Sequence, residues 1–226
     1  MTTTRATESP RTRTPLSRER VLHAAVAVAD DGGLIALTIR SLAQELGVKP
    51  MAVYHYVANK EEILDGIVDL VFGEIELPAE GDDWRTGMQR RAASARRVLR
   101  GHSWAIGLLE SRTSPGPATL HHHDRILDTL LNAGFSLELT AHAYALIDSY
   151  VYGFALQEAG LPFDGPDTVA DVAETIMERF ATGEYPRMVQ MATEHYFLPG
   201  YDFGAEFDFG LELILDGLSA RLAAER

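Results

Sequence analysis

The sequence predicts an all-α fold, and three observations carry that prediction. Apolar residues recur at offsets of three and four along almost the whole chain, the spacing of one helix face. No stretch alternates apolar and polar with the period of two that a half-buried strand requires. The periodic segments open on Ser, Thr, Asp or Asn and close on Gly or Pro, the chemistry of helix ends.

Residues 1–15, rich in Thr, Arg and Pro and without periodicity, read as a flexible arm. Ser17 is the expected N-cap of the first helix, whose stripe is Val21, Leu22, Ala25, Val28 and Ala29 and whose end is placed at Gly32 and Gly33. Thr38 caps a second helix with Ile39, Leu42, Ala43 and Leu46 on one face, and Gly47 stops it. Pro50 suits the first turn of a short third helix running to about His55. Asn59, with Glu62 three residues on, has capping-box spacing and opens a fourth helix carrying Ile63, Ile67, Leu70 and Val71, closed by Pro78.

Asp83 caps the next helix, with Trp84, Met88, Ala92, Ala95 and Leu99. Pro115, Gly116 and Pro117 form a break. Leu120, His123, Ile126, Leu127, Leu130 and Leu131 make the following face, ended by Gly134. Ser136 caps a long helix with Leu139, Ala143, Leu146, Ile147, Tyr150, Val151 and Phe154. A loop through Pro162, Gly165 and Pro166 leads to Val169, Val172, Ala173, Ile176 and Phe180, with a stop at Gly183. Phe207, Leu211, Leu215, Leu218 and Leu222 line the last helix. The domains expected are thus 16–77 and 78–226, after the arm.

Composition narrows the function classes. With 46% hydrophobic and 23% charged residues, the 226-residue chain is of ordinary globular type. It has no cysteine, which excludes disulfides, thiolate chemistry and Cys-ligated metals and fits a cytoplasmic setting. No apolar run predicts a membrane span or a signal peptide. The net charge of −13 is uneven: residues 1–64 hold eight Arg/Lys against seven Asp/Glu, the remainder twelve against 26. Only the first quarter could meet a polyanion, with its cations on one face.

The segment TIRSLAQELGVKPMAVYHYVANK, Thr38 to Lys60, supplies such a face. Two short helices joined by a tight turn at Gly47 can set the second in a DNA major groove. Lys49, Met51, Ala52, Tyr54, His55 and Tyr56 would face bases and phosphates while Val53 turns to the core. Arg40, in the first turn of the second helix, can reach guanine in bidentate fashion, and Lys60 beside the free amides of the fourth helix suits a phosphate. The competing reading is a helical hairpin whose tyrosines only pack, in a ligand-binding or enzymatic protein without sequence-specific DNA binding.

T-I-R-S-L-A-Q-E-L-G-V, then Y-H-Y-V-A-N-K and E-E-I-L, resembles the N-terminal domain of the TetR family of transcriptional regulators over about residues 16–77. Trp84 to His102, Ala133 to Glu138 and Phe209 to Leu218 resemble the tetracycline repressor branch. The resemblance implies a homodimeric repressor with a ligand-binding core. It assigns DNA contacts to Thr38, Arg40, Lys49, Pro50, Met51, Ala52, Tyr54, Tyr56 and Lys60. It also exposes a departure. An ungapped register on Trp84 and His102 puts Leu109 where those repressors bind drug-chelated magnesium through histidine, and Arg91 where an asparagine binds the drug. Leu109 cannot ligate a hard cation.

The expected effector is therefore a largely apolar, aromatic or anionic organic molecule without an obligatory metal. Trp84, Met88, Trp104, His123, His142 and Tyr152 are the expected pocket lining, with Leu109 added by the register. Neither a cofactor nor a metal site is expected. His121, His122 and His123 are adjacent on a helix and cannot converge on one ion. His102, His142, Asp148 and Tyr152 could line a pocket with Trp104; His142 and Asp148 have acid–base chemistry but no accompanying nucleophile, so packing or ligand hydrogen bonding is expected of them and no catalytic residue is assigned. Arg90, Arg91, Arg96, Arg97 and Arg100 read as one solvated, salt-bridged face, and the aromatic run from Tyr196 to Phe209 as dimer or core packing. Leu211, Leu215 and Leu218, with the helix from Ser136, are expected to pair with a second copy of the chain.

Overall fold

In a computed structural model, the chain is described at residues 15–109, 111–162, 173, 177, 178 and 184–225. The arm residues 1–14, Gly165, Pro166 and the predicted stripe residues Val169, Val172, Ile176 and Phe180, with the stop at Gly183, lie outside the described residues. The described elements are helical, as the periodicity predicts. They fall into two compact units, one ending at Ile67 and one beginning at Val68.

In the first unit, α1 is Arg18–Ala36, α2 Ile39–Leu46 and α3 Pro50–Val53, and α4, Lys60–Glu74, begins here and runs on into the second. The Ser17 hydroxyl accepts from the Arg20 amide and caps α1. The glycine stop expected in α1 takes the form of a kink: Gly33 has φ 69°, and the chain winds on to Ala36. Thr38 caps α2 through a reciprocal box with Ser41, each side chain accepting the other's backbone amide at 3.1 and 3.0 Å. Gly47 ends α2 at φ 64°, ψ 35°, a left-handed conformation in which a side chain would be strained, and its amide closes onto Ala43 and Gln44. Val21, Leu22, Ala25, Leu42, Ala43, Val53, Val57, Ile63 and Ile67 form the core of this unit. Val53 is the only buried residue of α3. Its burial, worth about 1.5–3 kcal/mol, holds a helix too short to persist by itself.

The second unit comprises the end of α4, α5 (Trp84–Gly101), a 3-10 turn (Ser103–Ala105), α6 (Pro117–Asn132), α7 (Leu137–Ala159), α8 (Pro186–Met191), a π turn (Ala192–Tyr196) and α9 (Phe203–Ala224). α7 packs against α5, α6 and α9. Three polar links reinforce the apolar core. Asp69 accepts from the amide and hydroxyl of Thr119 at 2.8 and 2.9 Å, seating the first turn of α6. Gly116 allows that approach, since a Cβ there would stand 2.2 Å from the Asp69 side chain. Arg96 bonds Glu158 at 2.6 and 2.9 Å and lies over the rings of Phe154 and Phe207, joining α5, α7 and α9. Tyr150 donates to the carbonyl of Phe207 at 3.0 Å.

Three expectations about faces are corrected. On α6 the fully buried stripe is Thr119, His122, Ile126 and Leu130, while Leu120, Leu127 and Leu131 are exposed; the face is rotated because its inward positions include polar residues. On α9, Leu211, Leu215 and Leu218 are buried in their own unit and are not available to a partner. Phe209 and Leu213, at 65% and 58% exposure, point outward instead, as do Leu146 and Leu156 of α7. The five arginines do not share one solvated face: Arg91 is buried, and Arg96 is largely enclosed by Glu158 and the two phenylalanines. The aromatic run divides likewise, with Phe207 in the core and Tyr196 exposed.

Candidate nucleic-acid interface and ligand site

The residues expected at DNA lie on α2, the turn at Gly47, α3 and the start of α4. Thr38, Arg40, Lys49, Pro50, Met51, Tyr54, His55 and Lys60 are exposed, and Ala52 and Tyr56 half-buried. Regular helix ends at Val53, two residues short of the predicted end. Turn bonds from Tyr56 and Val57 to the Val53 carbonyl carry the winding onward, so Tyr54 and His55 stay outside the core. Thr38 spends its hydroxyl on the α2 cap. Among the described residues, no ion pair engages Arg40, Lys49 or Lys60, so these three cations stand free for phosphate or base edges.

The start of α4 is held by a second capping arrangement. Asn59 Oδ1 accepts from the Glu62 amide at 2.9 Å, and the Glu62 carboxylate reaches back to the Ala58 amide at 2.7 Å while receiving Arg18 Nε at 3.2 Å. The Ala58 amide first, then Arg18 by hydrogen bond and charge, holds the Glu62 carboxyl below its ordinary value of 4.5. A folded-state pKa below the unfolded one stabilises the fold above the unfolded value, and that contribution is lost as pH falls through the folded value. The stability of wild type relative to Glu62→Gln is therefore expected to decline as pH drops below about 4.5, measured by urea unfolding across a pH series. A difference independent of pH would remove Glu62 from this role.

In the second unit the structure assembles a cluster that the sequence reading only partly named. Arg91 of α5, His122 of α6 and Asp148 of α7 are 1%, 0% and 5% exposed. Arg91 Nη1 bonds Asp148 Oδ1, and its Nε and Nη2 stand 3.3 and 3.0 Å from His122 Nε2. Tyr152 donates to Asp148 Oδ2 at 3.4 Å. His123 pairs through Nδ1 with the Tyr144 hydroxyl, and Phe72 presents its ring to both His122 and His123 at 5.0 and 5.3 Å. The three consecutive histidines thus occupy three environments, with His121 exposed.

Of the expected lining residues, His123 and Tyr152 belong to this cluster. Met88 and Leu109 are buried in the surrounding core, against which Trp104 packs half-buried. Trp84 packs on Phe135 beside a separate acidic groove lined by Glu80, Asp82 and Asp83. His142 is not brought to the others; it is exposed in a groove with Leu146, Leu213 and Gly217. Only His122 is new to the site: Arg91 is expected on a solvated face although it stands where the asparagine binds the drug, Asp148 is expected only as a pocket candidate, and the meeting of the three is not expected. Their signal was polar side chains on apolar stripes: Arg91 three residues from Met88 and four from Ala95, Asp148 three from Val151.

Comparison with known proteins follows this division. Residues 21–67 match the family of bacterial regulatory proteins, tetR family, and residues 77–222 the tetracyclin repressor-like C-terminal domain. The HTH-type transcriptional repressor DrrR1 of Streptomyces coeruleorubidus is 34% identical over 220 residues, 93% of this chain and 80% of the repressor. The class C tetracycline repressor protein of Escherichia coli is 29% identical, with 90% of each chain covered. The structure of ActR from Streptomyces coelicolor in complex with actinorhodin aligns with a TM-score of 0.73 and 29% identity, covering 91% of this chain and 96% of ActR.

Proposed function

The chain belongs to the TetR family of bacterial regulatory proteins and is a ligand-responsive transcriptional regulator of that family; we propose that it is a cytoplasmic repressor that grips a palindromic operator as a homodimer and releases it when a small organic effector fills the second unit. The observation that carries the reading is the free, exposed set Arg40, Lys49, Lys60 and Tyr54 on a helix-turn-helix in a chain of net charge −13. A single such unit reads too few base pairs to find one site, and a two-fold dimer reads two half-sites.

The dimer face proposed is the outward side of α7 and α9, where Leu146, Leu156, Phe209 and Leu213 lie exposed. Leu213→Glu should therefore give a folded monomer in sedimentation at micromolar concentration, whereas Leu215→Glu, in the core, should unfold the second unit. A wild-type monomer at that concentration would exclude the face.

The effector proposed is largely apolar and aromatic or anionic, bound without a required metal near His123, Tyr152 and Trp104. Two observations support this. Leu109, in the place a metal-binding histidine takes in tetracycline repressors, is 5% exposed and packs in the core. ActR binds an organic molecule, actinorhodin, on the same fold. Release requires that the effector bind the DNA-incompetent state more tightly, since equal affinity shifts nothing. The test is an electrophoretic shift with palindromic DNA from beside the gene, followed by an effector screen in EDTA. Release in EDTA is expected; release only with added magnesium would overturn the metal-free assignment. A chain that shifts no DNA, yet binds small molecules, would favour the competing reading.

A further inference from the structure

Arg91 and His122 fix one another's hydrogen-bond roles. A guanidinium has five N–H donors and no acceptor. Two of those donors converge on His122 Nε2, so that nitrogen is the bare lone pair. The proton of the neutral ring is then on Nδ1. Burial first, and the Arg91 charge second, push the His122 pKa down to about 3, so the neutral ring persists. Its Nδ1–H is buried and, among the described residues, meets no acceptor. Buried N–H groups in folded proteins are almost always paired, and an unpaired one opposes folding.

The surroundings say what the missing acceptor is. Asp148 holds Arg91 through Nη1, the nitrogen the imidazole does not engage, so the pair is neutral as a unit and His122 adds no charge. An anion placed there would be buried without a free cation. Phe72 and His123 stand across the imidazole in T-shaped contacts, with centroids at 5.0 and 5.7 Å, so the surroundings of this donor are aromatic rather than charged.

We propose that the Nδ1–H of His122 is the polar anchor of the effector site, donating to a neutral carbonyl oxygen of a flat aromatic ligand, with Arg91 and Asp148 as the positioning residues that hold the imidazole in its donor tautomer. The inference rests on the reading of the second unit as effector-binding and narrows its ligand class. A site built to donate one hydrogen bond discriminates against a ligand of the same shape lacking the acceptor, because the donor is then left unpaired.

The probes are 9-fluorenone and fluorene, which share a tricyclic frame and differ by one carbonyl. Binding of each to the full chain is read from quenching of Trp84 and Trp104 fluorescence. The wild type is expected to bind fluorenone about tenfold or more tightly than fluorene. His122→Phe should bind the two equally. A preference for fluorenone that survives in His122→Phe overturns the inference.

That variant also takes an acceptor from Arg91 and can cost folding, so a second measurement uses the wild-type chain. Long-range proton–nitrogen spectra of protein labelled with 15N-histidine should show one imidazole in the Nδ1–H tautomer, still neutral at about pH 5. Its Nδ1–H proton should move downfield with fluorenone and stay in place with fluorene. An Nε2–H tautomer for every neutral histidine, or equal binding of both probes to wild type, overturns the inference and leaves the effector reading intact. Binding of neither probe overturns the aromatic-effector reading, and this inference with it.

Discussion

Asp148→Ala should lower the unfolding free energy by about 3–5 kcal/mol, the largest effect expected of any single substitution outside the apolar core. The Arg91 side chain is 1% exposed and the Asp148 side chain 7%, so neither can recover water when its partner is lost. Truncating Asp148 leaves a guanidinium charge buried beside a neutral imidazole. Removing both charges is a different experiment. The double variant Arg91→Met with Asp148→Leu fills comparable volume with apolar atoms and should be markedly more stable than Asp148→Ala alone. Thermal unfolding at fixed protomer concentration is the measurement, because a dimer's midpoint depends on concentration. At this chain length, 1 kcal/mol moves the midpoint by roughly 2–4 °C, so a fall of about 10 °C is expected for the single variant. A single variant within about 1 kcal/mol of wild type would mean that the pair is not buried as described.

Arg40→Ala and Tyr54→Ala should each weaken operator binding by about 1–3 kcal/mol per half-site, while leaving the fold unchanged. Both side chains are exposed and outside the core of the first unit. Lys60→Ala should act differently. As a phosphate contact it should weaken all DNA sequences alike and reduce the salt dependence of binding by about one unit of slope per half-site. Titrations of operator and scrambled duplexes across a salt series separate the two behaviours. Arg40→Ala is expected to lose the difference between duplexes, and Lys60→Ala to retain it. Variants that bind operator as wild type does would remove the α2–α3 surface from recognition.

The helix starts at Ser17, Thr38 and Asn59, the stop at Gly47 and the exposure of the α2–α3 surface were legible in the sequence by itself, because they are decided by neighbours. Ser17, Thr38 and Asn59 each cap within three residues of their own position, Gly47 needs only its own backbone freedom, and the buried Val53 lies between exposed Met51 and Tyr54 in one short turn of chain. The face of α6, and what the apolar stripe of α9 packs against, were not legible in the same way. α9 carries apolar side chains on two sides, and only packing against α7 shows that Leu211 and Leu215 are inside while Phe209 and Leu213 are outside. The polar cluster was the least legible. Arg91 meets His122 across 31 residues and Asp148 across 57, and a pattern of apolar spacing counts each as a surface residue. A buried charge is tolerable only where its partner and its hydrogen bonds arrive together. That meeting depends on α5, α6 and α7 converging in space, so tertiary structure alone decided it.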